Sequence, residues 1–172
     1  MHYPKDILYD TGEILETICP NKILIIGKPL HNIANNYQQQ CSIINIPCDI
    51  TFINTSDSLS EPAYLKRYDL AIAGGLIESH EKTKSEQVLS RLRDLCAPKI
   101  IMLGSLTNST WHKNELFGFG FTQYARYQHI DMSSKNTEFG LYHYNIDSYK
   151  KTPEWFSAKN WANPELWNKF RW

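Results

Sequence analysis

The sequence predicts a three-layer α/β fold: a mostly parallel sheet, an antiparallel hairpin near the C-terminus, and an aromatic C-terminal tail. Three observations carry this. Short apolar runs that do not alternate, such as Ile23 to Ile26 and Ile100 to Leu103, suit strands buried on both faces. Amphipathic stretches long enough for helical crossovers separate them. The last third turns to aromatic, partly alternating segments, the pattern of strands at a sheet edge.

The elements follow in order. Ile7, Leu8, Ile14, Leu15 and Ile18 recur at helical spacing and predict an N-terminal helix within residues 1–20, closed by the turn Pro20-Asn21. Lys22 to Gly27 reads as the first strand, followed by a helix from about Leu30 to Gln40. Asp49 to Asn54 is the second strand, and Glu61 to Lys66 a short helix after a polar stretch. Tyr68 to Ala73, ending in Gly74-Gly75, is the third strand. A long helix from Lys82 to Leu95 sets Val88, Leu89, Leu92 and Leu95 on one face until Ala97-Pro98 stops it. Lys99 to Gly104 is the fourth strand, and Trp111 to Phe117 a further helix. Phe121 to Ile130 and Phe139 to Ile146 then form the hairpin strands. The tail, 150–172, holds four of the five tryptophans.

Composition narrows the classes. A chain of 172 residues with 42% hydrophobic content fits one domain spanning 1–172. Lys plus Arg equals Asp plus Glu at 18 each, so no broad basic face for nucleic acid is expected. No apolar run approaches the roughly 20 residues that cross a bilayer. The N-terminus lacks an apolar signal core, and Cys19, Cys41, Cys48 and Cys96 form neither C-x-x-C nor zinc spacing. A cytoplasmic protein with reduced thiols and no metal is expected.

Three segments carry a resemblance. Tyr68-Asp69-Leu70-Ala71-Ile72-Ala73 followed by Leu76-Ile77-Glu78-Ser79-His80 is similar to the fourth-strand block of class I S-adenosylmethionine-dependent methyltransferases, which have a Rossmann-like fold. Phe117-Gly118-Phe119-Gly120-Phe121 resembles the step into that fold's final hairpin. The ending, Trp161 to Glu165 and Lys169 to Trp172, resembles the C-terminus of a bacterial family of unknown function with the same layout. The resemblance implies a cleft at the carboxyl ends of the strands, where open α/β sheets hold ligands. S-adenosylmethionine is the cofactor it implies, with Gly27, Lys28, Asn54, Gly74 and Gly75 as the residues around it.

The chain departs from that pattern at two places. The turn after the first strand reads Gly27-Lys28-Pro29-Leu30-His31, with one glycine, a proline that removes a donor, and bulk from Lys28 and Leu30. Asn54 stands where an acidic residue would bind ribose hydroxyls. Such a degraded loop points first to a binding or interaction module without an intact cofactor loop. The alternative is a divergent S-adenosylmethionine-dependent methyltransferase using the same cleft. Glu78 and His80 either form an acid/base pair or simply flank the next helix. Trp161, Trp167, Phe170, Arg171 and Trp172 either close the core or form an interface for a second copy or a partner protein, as tryptophan and arginine suit binding hot spots.

Overall fold

The computed structural model describes residues 3–27, 30–55, 59–79, 81–105, 107, 109–130, 136–149, 158–160, 163–166 and 169. In chain order these form α1 (Lys5–Ile18), β1 (Lys22–Ile26), α2 (His31–Ile43), β2 (Asp49–Ile53), β3 (Leu70–Gly74), α3 (Leu76–Ser79), α4 (Lys82–Arg91), β4 (Lys99–Gly104), α5 (Lys113–Gly118), β5 (Thr122–Ile130), β6 (Asn136–Asn145) and α6 (Ile146–Tyr149). A 3-10 turn, Pro62–Leu65, takes the place of the short helix expected between β2 and β3. Lys28, His80, Trp161, Trp167, Phe170, Arg171 and Trp172 lie outside the described residues.

The six strands form one sheet in the order β2-β1-β3-β4-β6-β5. β2, β1, β3 and β4 are parallel, and β6 and β5 complete the sheet antiparallel. The fold is therefore the mostly parallel, Rossmann-like arrangement with an antiparallel C-terminal hairpin.

The non-alternating runs are buried on both faces, as their composition requires. In β1, Ile23 and Ile25 face α1 and α2, while Leu24 and Ile26 face the layer of α4, Tyr64 and Trp111. β3 divides likewise into Leu70 and Ile72 against Ala71 and Ala73. The hairpin aromatics join this core, with Phe139 on one face and Tyr142 and Tyr144 on the other.

The helix expected over 82–95 changes pitch. Its last turn, Leu92–Cys96, is a π-turn that still buries Leu92 and Cys96 but leaves Leu95 at 45% exposure. The widened turn shifts Leu95 off the apolar face. Asp69, from the third-strand segment, serves the opposite end of the sheet from the expected cleft. Its Oδ2 accepts from the backbone N–H groups of Asn21 (2.9 Å) and Lys22 (2.8 Å), tying the starts of β1 and β3.

Candidate functional site

The chain passes from β1 to β2 on one side and then back across β1 to β3 on the other. The strand order reverses between β1 and β3, and ligands of open α/β sheets bind at that point, beyond the carboxyl ends of the strands. Gly27 follows β1, Asn54 follows β2, Gly74-Gly75 closes β3 and Ser105 follows β4. Of these, Gly27 and Gly74 meet directly, beside Thr55.

The contacts at the rim decide what fits there. Gly27 has φ +100°, a region that favours glycine. A Cβ at Gly27 would stand 2.3 Å from the Gly74 carbonyl oxygen, so the two strand ends touch backbone to backbone. Gly74 is covered in turn: a Cβ there would meet Leu30 Cδ1 at 2.9 Å and the Tyr3 hydroxyl at 3.1 Å. Leu30 and Tyr3 are both buried, at 1% and 5% exposure. The Tyr3 hydroxyl donates to the Leu103 carbonyl at 3.2 Å, and its ring meets Phe139 edge-on. Leu30 and Tyr3 thus cover the end of β3 from the α1–α2 face of the sheet. Asn54 is exposed and offers an amide rather than a carboxylate. Asn54 and the covered Gly74 therefore lack the carboxylate and the open glycine surface that the resemblance implies for a methyl donor.

A second feature adjoins this plug. Glu78, on the single turn α3, points its carboxylate at the end of β4. Its Oε1 accepts the Ser105 backbone N–H at 2.6 Å. Its Oε2 lies over Gly104, where a Cβ would come within 3.3 Å. Among the described residues, neither Glu78 Oε2 nor the buried Ser105 Oγ has a hydrogen-bond partner. Burial pushes the Glu78 carboxyl up to about 7, against the lowering effect of the Ser105 N–H. Burial, followed by the Glu78 charge, pushes the Tyr3 phenol above its ordinary range.

Among the described residues, no lysine or arginine forms an ion pair with Glu78. Lys82, the nearest lysine along the chain, pairs instead with Glu115, which also accepts the His112 backbone N–H at 2.8 Å. No cluster of three metal-ligating side chains occurs among the described residues. No described helix is long and apolar enough to cross a membrane.

The rim residues and the bulk of Leu30 were legible in the sequence. Tyr3 was not, because a lone tyrosine before a helix carries no spacing signal. Its position comes from α1 packing across β3 and β4.

Known proteins agree with the fold. The 1,6-didemethyltoxoflavin-N1-methyltransferase of Burkholderia thailandensis, solved with S-adenosylhomocysteine, is similar with a TM-score of 0.52 and 13% identity, over 81% of this chain and 78% of that one. The magnesium protoporphyrin IX methyltransferase of Synechocystis PCC 6803, solved with the same ligand, is similar with a TM-score of 0.50 and 12% identity, over 81% and 82% of the two chains. At such identity the likeness is one of fold. No functionally curated protein matches the sequence. The model of a family of unknown function, DUF6231, matches residues 5–172, and the chain belongs to that family.

Proposed function

We propose that this chain is a methyltransferase-like domain that has given up its methyl-donor cleft and works as a binding or interaction module. One observation carries the reading: Leu30 and Tyr3 fill the space above Gly74. Removing those side chains from the core to admit a ligand would expose apolar surface that each now buries, at about 1.5–3 kcal/mol per side chain. The tail, with Trp161, Trp167, Phe170, Arg171 and Trp172, supplies the surface for a second copy or a partner protein. A cytoplasmic location goes with this reading, because the cysteine spacing suits reduced thiols.

A second reading is favoured by one specific observation. Glu78 keeps an unpartnered carboxylate oxygen beside the buried Ser105 hydroxyl at the strand ends. Perturbed carboxylates in such places serve acid/base chemistry. In a divergent S-adenosylmethionine-dependent methyltransferase, Glu78 would accept the proton of the group being methylated. That reading requires Tyr3 and Leu30 to leave the rim. Both neighbouring enzymes were solved with S-adenosylhomocysteine, which supports the same ligand as the probe.

Isothermal titration with S-adenosylmethionine and S-adenosylhomocysteine separates the two. The module gives no binding heat at millimolar ligand with the protein shown folded. Micromolar binding that Asn54→Ala weakens would overturn it and support the enzyme.

A further inference from the structure

A cavity of about 630 Å³ lies at the other end of the sheet, between the C-terminal half of α1 and the β5–β6 hairpin. This volume falls within the range of small-molecule sites. Its body is apolar, from Ile14 and Ile18 of α1 and Ile101 of β4. Tyr124, 55% exposed, stands at one wall with its edge toward His143.

The polar groups have a definite sign. Glu13 and Glu16 line the α1 wall. Glu13 Oε1 accepts the Tyr9 hydroxyl at 3.1 Å, and Glu16 Oε1 accepts from Gln40 Nε2 at 3.0 Å. These bonds hold the carboxylates without neutralising them. Burial holds His143 below the ordinary imidazole range, so the floor stays uncharged at neutral pH. Among the described residues of the lining, Lys99 is the one cation against the two carboxylates. The wall is fixed before any ligand arrives: Tyr127 of β5 donates to Asp10 of α1, and Glu16 is tied to α2 through Gln40. A fixed apolar cleft with net negative charge favours a cation on an apolar body.

We propose that this cavity binds an organic amine, with a flat apolar body against Ile14, Ile18 and Ile101 and its ammonium group on the Glu13 and Glu16 carboxylates. The site is separate from the rim and depends on neither reading of it.

Three probes with one indole body test it: tryptamine, the neutral alcohol tryptophol, and the anionic indole-3-acetate. They are titrated by NMR into the full chain and into Glu13→Gln/Glu16→Gln. Tryptamine should bind about tenfold more tightly than tryptophol, as two partly exposed carboxylates allow, with indole-3-acetate weakest. The double variant, which changes only exposed side chains, should bring tryptamine down to the alcohol's affinity while its melting temperature stays close to wild type. Tyr124→Ala should weaken all three. No tryptamine binding, equal affinity for the three probes, or shifts centred on Gly27 and Gly74 would overturn the proposal. S-adenosylhomocysteine also carries an ammonium group. Binding heat with that ligand belongs to this cavity if the double variant abolishes it, and to the rim if Asn54→Ala does.

Discussion

Gly27→Ala is the sharpest test of how the rim is built. Glycine after the first strand of a nucleotide-binding fold is ordinarily explained by close approach of backbone to ligand. Here the close approach is internal. An alanine Cβ at Gly27 would lie 2.3 Å from the Gly74 carbonyl oxygen, a backbone atom that cannot swing aside, and would sit at φ +100°. Forcing a non-glycine residue into such a conformation costs about 1–3 kcal/mol before any clash. Separating β1 from β3 at their ends also disturbs the packing of Leu30 on Gly74. A total loss of about 3–5 kcal/mol is expected, which for a domain of this size lowers the melting temperature by roughly 6–20 °C. Gly12→Ala supplies the control, because Gly12 lies inside α1 with nothing within 4 Å of its missing Cβ. It should gain about 0.5–1 kcal/mol from helix propensity. Urea unfolding of both variants, with unchanged m-values, gives the comparison. A Gly27→Ala protein within about 1 kcal/mol of wild type would refute the claim that the β1 and β3 ends are in backbone contact.

Other outcomes follow from the same geometry. The Glu78 carboxyl is raised to about 7, so its contribution to stability is complete in acid and is lost as pH rises through 7. Wild type should therefore lose on the order of 2 kcal/mol relative to Glu78→Gln between about pH 4.5 and pH 8, and parallel pH profiles would show that Glu78 is not buried. Cys19 is exposed and should react at once with a thiol reagent at pH 8. Cys48, pushed up to about 11 by burial, should lag, while the buried Cys41 and Cys96 should react only on unfolding. Prompt labelling of all four would contradict this core. If the tail holds a second copy, light scattering will give twice the 20.0 kDa chain mass, and Trp161→Ala/Trp167→Ala/Trp172→Ala will halve it. A wild-type monomer at every concentration would remove the homodimer.

The sheet was legible because parallel strands announce themselves as short apolar runs without alternation. Ile23 to Ile26 and Ile100 to Leu103 could be buried in no simpler way. The bulk of Leu30 at the cofactor turn was legible for the same local reason: a branched side chain stood where a small one was expected. Other features depend on contacts distant in sequence. Tyr3 reaches the Leu103 carbonyl from the opposite end of the chain, and the displacement of Leu95 comes from a π-turn that periodicity does not register. Glu78 was visible as a carboxylate after a strand. Its burial and its bond to the Ser105 N–H arise from Gly104, whose missing side chain lets Ile77 and Glu78 pack against the end of β4. The cavity under α1 left no mark in the sequence, because its lining comes from α1, β3, β4, β5 and β6.

The proposed function requires Leu30 and Tyr3 to occupy the place of a methyl donor. NMR on methyl-labelled protein reads this directly, through nuclear Overhauser contacts between the Leu30 methyls and the Gly74 α-protons with and without S-adenosylhomocysteine. Strong contacts that millimolar ligand leaves unchanged are expected. Contacts that vanish on addition of the ligand, with shifts at Gly27, Asn54 and Gly75, would show a cleft that opens for a donor and would contradict the proposed function.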